Sequence, residues 1–214
     1  GKGHTITALA RNPNRARDLL GQGIEIIPSN VSLDDLTHLF ETTDAVINLA
    51  GSPIATRWNA NIKQELKNSR IRITKSLVDA INNCKNPPQL FISASAVGIY
   101  GNQGKATIEE SSKKGKGFLS DLSAQWESEA MELQNNRTRV CLLRIGIVIG
   151  REGGILKTLT PLFENQLGHY IGSNPIMPWI HISDLVRIIG FSGLWRLGDC
   201  GWDWLSCYTI ETSS

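Results

Sequence analysis

Two serines and a tyrosine stand together where this chain of 214 residues could do chemistry. They lie in Gln89–Gly101, QLFISASAVGIYG. The stretch follows Pro87-Pro88, runs apolar through Leu90, Phe91 and Ile92, and turns small and polar at Ser93-Ala94-Ser95. It ends in the loop Gly98-Ile99-Tyr100-Gly101. A short apolar run after a proline pair reads as a buried strand of a parallel sheet. In open α/β sheets, ligands bind beyond the carboxyl ends of the strands. Ser93, Ser95 and Tyr100 therefore fall where a substrate would be handled. A strand end capped by turn residues accounts for the same string.

Other chemistries find little support. The four histidines are scattered, and Cys84, Cys141, Cys200 and Cys207 have neither CxxC nor metal-ligand spacing, so no metal is expected. The cysteine usage suggests a reducing compartment, with Cys84 and Cys141 in apolar settings typical of buried thiols. A formal charge of +2 without a block of like charge gives no nucleic-acid footprint. Lys113–Lys116 reads as a solvated loop. There is no apolar run of about 18 residues to span a membrane, and no signal peptide is visible.

The elements that must position these residues alternate. Thr5–Ala10 reads as a strand, followed by a short helix ending near Gly21 or Gly23. Ile24–Ile27 is the next strand, closed by Pro28. Asp34–Phe40 is helical, and Ala45–Leu49 is a third strand ending at Ala50-Gly51. Ile62, Leu66, Ile73, Leu77 and Ile81 place one apolar stripe on a long helix. Gln89–Ser95 is the fourth strand, Leu119–Leu133 a helix, and Arg139–Ile149 a fifth strand. The strands are apolar throughout rather than alternating. The order predicts an α/β, doubly wound parallel sheet with helices on both faces. Residues 195–204 hold three of the six tryptophans, and RLGDCGWDWLSCYTIETSS (Arg196–Ser214) shows neither a clean helix period nor a strand alternation. That change of composition suggests a foreign or truncated end, from a frameshift or altered splicing.

Six strings in order carry a resemblance. They are NLAGSPIATRW (Asn48–Trp58), SRIRITKSLVDAI (Ser69–Ile81), SASAVGIYG (Ser93–Gly101), FLSDLSAQWESEA (Phe118–Ala130), RIGIVIGREGG (Arg144–Gly154) and PWIHISDLV (Pro178–Val186). Together they resemble the sugar-nucleotide-epimerase-like family, of the cell-division-inhibitor-homologue type, within the extended short-chain dehydrogenase/reductase superfamily. The resemblance covers roughly residues 1–190 and implies a Rossmann-like, NAD(P)-binding fold. Family members open with a strand and a GxxGxxG turn that receives the cofactor pyrophosphate. Gly1-Lys2-Gly3-His4 matches only the turn before the family's second strand. The expectation is an incomplete NAD(P)-binding domain over 1–190, lacking the first strand and the glycine-rich turn. An atypical tail over 191–214 would then replace most of the substrate-binding region.

The resemblance also implies site residues. Arg11, with Arg15 nearby and no carboxylate, closes the second strand of the family pattern and argues for NADP over NAD. A solvated arginine at a strand end is the alternative. Asn30 and Val31 match an adenine-contacting pair. Asn48, Ala50 and Gly51 would border the adenosine ribose, or simply form a tight turn. Ser95, with Ser93 as alternate, resembles the serine that contacts a substrate carbonyl or alcohol. The superfamily's Tyr-x-x-x-Lys pair is not matched: Leu122 and Trp126 stand there. Tyr100 is the tyrosine placed to substitute, and a structural loop role suits it equally. Arg144 matches a position shaping the nicotinamide side of the cleft, and a basic residue in LLRIGIVIG must find a partner. His181 is the histidine best placed for acid/base work, while Asp184 caps a helix beginning near Leu185.

These residues imply an NADP-dependent oxidoreductase or epimerase acting on a nucleotide-sugar-like or small carbonyl substrate. The alternatives are a non-catalytic dinucleotide-binding or scaffold protein linked to cell or plastid division, and a defective fragment. The expected partner is a small molecule, with the oligomeric state left open. The expected compartment is the cytoplasm for a bacterial source and the plastid stroma for a plant one.

Overall fold

The computed structural model describes residues 3–54, 56–150 and 177–194, with a few positions between 156 and 165. The tryptophan-rich end at 195–214 lies outside the described residues, and with it most of the tail expected over 191–214, while Phe191–Leu194 belong to a helix. The elements run β1 (Thr7–Ala10), α1 (Pro13–Leu20), β2 (Glu25–Pro28), α2 (Leu33–Phe40), β3 (Ala45–Asn48), α3 (Ala60–Lys67) and α4 (Ile73–Asn83). They continue with β4 (Leu90–Ala96), α5 (Phe118–Ala130), β5 (Arg139–Ile145), β6 (Ile147–Gly150), β7 (Trp179–His181) and α6 (Ile182–Leu194).

The strand pairs β1/β2, β3/β4, β4/β5 and β6/β7 are parallel. The registers that matter for function set Asn48 beside Ser93 and Ser95 beside Arg144. Helix starts are fixed locally. Asn12 accepts from Arg15 N with Pro13 opening α1, Ser32 and Asp35 form a capping box on α2, and Asn59 caps α3.

Alternate residues of β4 face opposite layers. Phe91 packs with Phe40, Val46, Leu77, Val78, Ile81 and Ala130, so α2, α4 and α5 cover one face. Leu90 and Ile92 pack with Leu143, and with Ile188 and Ile189 of α6, on the other. Helices on both faces explain why the strands read as continuous apolar runs. Phe91 and Ile92 are fully buried; burying side chains of this size stabilises by about 1.5–3 kcal/mol each.

Three expectations are corrected. The strand expected over Arg139–Ile149 is two strands, β5 and β6, broken at Gly146. A Cβ there would come within 2.7 Å of the Pro178 carbonyl oxygen. That carbonyl accepts from Ile147 N at 2.8 Å, so the chain leaves one ladder and joins the next at the glycine. The long helix is likewise two α-helices joined by a π-helical turn over Asn68–Arg72. Asp184 sits within the first turn of α6, which begins at Ile182 rather than near Leu185, and it pairs with Arg187 at 3.2 Å.

Candidate functional site

A largely buried, charged cluster forms at the carboxyl ends of β4 and β5. Ser95, in the last turnless part of β4, donates its hydroxyl to Glu127 Oε1 at 2.5 Å. Glu127 lies on the buried stripe of α5, with Leu122, Trp126 and Ala130. Arg144, beside Ser95 in the register, grips the same carboxylate with both edges of its fork: Nε to Oε1 and Nη2 to Oε2, each at 2.8 Å. Its Nη1 donates to the Tyr100 hydroxyl at 2.7 Å and to the Glu110 carbonyl at 2.9 Å. The Glu127 and Arg144 side chains retain 10% and 15% of their exposure.

The polarity of these bonds sets what the hydroxyls can do. A carboxylate only accepts and a guanidinium only donates. Ser95 therefore spends its proton on Glu127 and keeps its lone pairs for an incoming donor. Tyr100 accepts from Arg144 and keeps its phenolic proton for an incoming acceptor. A small pocket lined by Val97, Arg144, Gly146, Pro178, Trp179 and Ile180 lies beside the cluster.

The positions that match the superfamily's Tyr and Lys do different work here. Leu122 and Trp126 are buried. The Trp126 indole donates to Thr74 Oγ1 at 2.9 Å, and Asn48 Nδ2 donates to the same oxygen at 2.8 Å. Asn48 Oδ1 accepts from Ala50 N at 3.2 Å, so both ends of the Asn48 amide are engaged inside the protein.

The remaining expected residues divide. Arg11 and Arg15 are exposed at the carboxyl end of β1, and Asn30 is exposed just past β2. Val31 is half-buried and packs on the core beneath α2 and α4. Ala50 and Gly51 leave β3, with the Arg70 guanidinium lying against Gly51. Ser93 is fully buried, and among the described residues its hydroxyl reaches only the Ala94 carbonyl, at 3.4 Å. His181 closes β7, exposed, with Nδ1 accepting from Ser183 N at 3.2 Å; no hydrogen bond joins it to the Ser95 cluster. Ser95, Tyr100 and Arg144 are thus brought together, while His181 and Ser93 stand apart from them. Glu127, which organises the cluster, was not among the expected residues. Its signal was a carboxylate on the apolar stripe of a helix.

Parallel strands in two-sided cover, with a polar cluster beyond the carboxyl ends of β4 and β5, define a dinucleotide-fold protein. The chain belongs to the NAD dependent epimerase/dehydratase family, whose profile matches residues 1–192. It is 38% identical over 193 residues to the chloroplastic SDR39U1 homologue of Arabidopsis thaliana, an epimerase family protein. That match takes in 87% of this chain and 54% of the relative. The crystal structure of human SDR39U1 with NADPH is similar at a TM-score of 0.75 and 32% identity, over 90% of this chain and 63% of that one. A nucleoside-diphosphate sugar epimerase from Corynebacterium glutamicum is similar at a TM-score of 0.65 and 27% identity, over 88% of this chain and 43% of that one. The chain thus spans a little over half the length of its plant relative. Among the described residues, no helix is long and apolar enough to cross a membrane.

Proposed function

We propose that the chain belongs to an NADP(H)-dependent oxidoreductase or epimerase-like protein acting on a nucleotide-sugar-like or small carbonyl substrate. The observation that carries this reading is the Ser95 hydroxyl held at 2.5 Å by Glu127 at the carboxyl end of β4. When bound, the nicotinamide supplies or accepts a hydride. Ser95 accepts from a substrate hydroxyl, and Glu127 takes the serine proton as the substrate proton moves to Ser95. Tyr100 donates toward a substrate oxygen. Arg144 holds both Glu127 and Tyr100 in place. Arg11 and Arg15, exposed beyond β1 and without a carboxylate partner among the described residues, suit a ribose 2′-phosphate. The human relative's NADPH complex supports that preference. The plastid stroma is the compartment we infer for a plant source, and the cytoplasm for a bacterial one.

A non-catalytic, dinucleotide-binding reading has one observation in its favour. Trp126 is buried in a structural hydrogen bond where the superfamily's lysine would act. One experiment separates the two. The chain is melted with NADPH and with NADH, and NADPH oxidation is followed against a panel of carbonyl compounds, with Ser95→Ala as the comparison. A ligand at a hundredfold excess over Kd stabilises by about 2.7 kcal/mol. The catalytic reading expects a larger shift with NADPH than with NADH, and oxidation that Ser95→Ala abolishes. A shift without oxidation favours the binding reading. No shift with either nucleotide at millimolar concentration overturns both.

A further inference from the structure

The π-helical turn between α3 and α4 presents one side chain in an unusual way. Such turns are rare and concentrate at functional sites. Arg70 stands in the middle of it. Its Nη2 donates to the Ser52 carbonyl at 3.0 Å, and its Nη1 lies 3.4 Å from both the Leu66 carbonyl and the Ser69 hydroxyl. The guanidinium carbon sits 5.3 Å from the centre of the Trp126 ring. Ser69 Oγ also accepts from Ser52 N at 3.0 Å, tying the turn to the loop that leaves β3. A Cβ at Gly51 would fall 2.9 Å from the guanidinium carbon, so the glycine is what lets the cation lie against this loop.

Each of these partners is electrically neutral. Among the described residues, no carboxylate pairs with Arg70. Glu65, one turn back on α3, instead accepts from the Ser52 hydroxyl at 2.9 Å. Burial lowers the Arg70 pKa from its ordinary value, as it does for a cation drawn out of water. Arg144, by contrast, donates to both oxygens of the Glu127 carboxylate. A half-buried cation without a counter-charge costs stability, and an arriving anion offsets that cost. A flat guanidinium backed by an indole suits the paired oxygens of a phosphate or carboxylate. Its place, just past the carboxyl end of β3, is the rim where open α/β sheets hold ligands.

We propose that Arg70, clamped by the π turn against Gly51, binds a phosphoryl or carboxylate group of a ligand at the carboxyl rim of the sheet. That anion has two possible sources: the pyrophosphate of the dinucleotide, or a group carried by the substrate. The first source rests on the cofactor reading above, and the second does not.

The test titrates the full chain and its variants with inorganic pyrophosphate, NADPH and uridine diphosphate. Arg70→Ala should weaken pyrophosphate binding by about ten- to hundredfold, the worth of one charge-assisted, two-pronged contact. Arg70→Lys keeps the charge without the fork and should recover part of the loss. Gly51→Ala keeps the arginine but displaces it, and should weaken binding too. If Arg70→Ala fails to fold, these two variants carry the test. Weakened NADPH binding in the variants identifies the dinucleotide as the source. Weakened uridine diphosphate binding with NADPH unchanged identifies the substrate. A chain that binds pyrophosphate through Arg70 but never binds NADPH retains this site and sinks only the cofactor reading. The proposal is overturned if the folded variants bind all three probes within about twofold of the parent chain, or if the parent binds none.

Discussion

Replacing Glu127 with leucine should remove the keystone of the Ser95 cluster. The carboxylate retains 10% of its side-chain exposure and the Arg144 guanidinium 15%, so water screens neither well. Taking away one partner of such a pair costs about 3–5 kcal/mol, because the other charge loses its compensation while staying buried. Two bonds of 2.8 Å to Arg144 and one of 2.5 Å from Ser95 disappear together. For a chain of this size, each kcal/mol moves the melting temperature by about 2–4 °C, so Glu127→Leu should melt about 6–20 °C lower. Replacing both residues, as Glu127→Leu with Arg144→Leu, should recover much of that loss, since an apolar pair of similar volume is often neutral. Differential scanning calorimetry of the parent, both single variants and the double variant completes the cycle. Repeating it at high salt should change little, because the pair is largely sheltered from counterions. The reasoning fails if Glu127→Leu melts within about 2 °C of the parent, or if the double variant loses the sum of the two singles.

Three further outcomes follow from the geometry. Thr74→Val removes a fully buried oxygen that accepts from both Asn48 and Trp126. Each orphaned donor costs about 1–3 kcal/mol, and a loss under about 0.5 kcal/mol in urea unfolding would contradict the shared-acceptor arrangement. Gly146→Ala drives a Cβ to 2.7 Å from the Pro178 carbonyl, which is backbone and yields poorly. It should destabilise by about 1–3 kcal/mol, and an unchanged melt would show that β6 and β7 separate freely there. Burial first, and Glu41 second, raise the Cys84 thiol pKa. The stability this group contributes is therefore complete below the unfolded thiol's value of about 8.5 and is lost as pH rises through the higher folded value. Iodoacetamide should label the Cys84 peptide at least about a hundredfold more slowly in the folded chain than in urea, read by peptide mass spectrometry; equal rates would refute its protection.

The layered fold was legible because its signals are local. Apolar runs bounded by proline and glycine located β2, β3 and β4 within a residue or two. Arg144 in an apolar strand announced that it needed a partner, yet not which one. That partner is 17 residues back on α5 and is chosen by how α5 packs on β4 and β5. The break at Gly146 was hidden for the same reason: what approaches the glycine is the carbonyl of Pro178, far along the chain. The π turn was hidden by the pattern itself. Leu66 and Ile73 are seven residues apart, which an unbroken α-helix satisfies equally well.

That turn also preserves the phase of everything beyond it. A π turn closes with one more residue than an α turn. Deleting a single residue from Asn68–Arg72 would close the widened turn and let the helix run on as plain α with α4 in nearly the same phase, whereas the same residue carried in a plain α segment would rotate α4 by about 100° about its axis. Leu77, Val78 and Ile81 would stay on the core, and the loss would fall on the turn that presents Arg70. The turn behaves like slack let into a chain: it takes up a residue locally so that the links on either side keep their pitch.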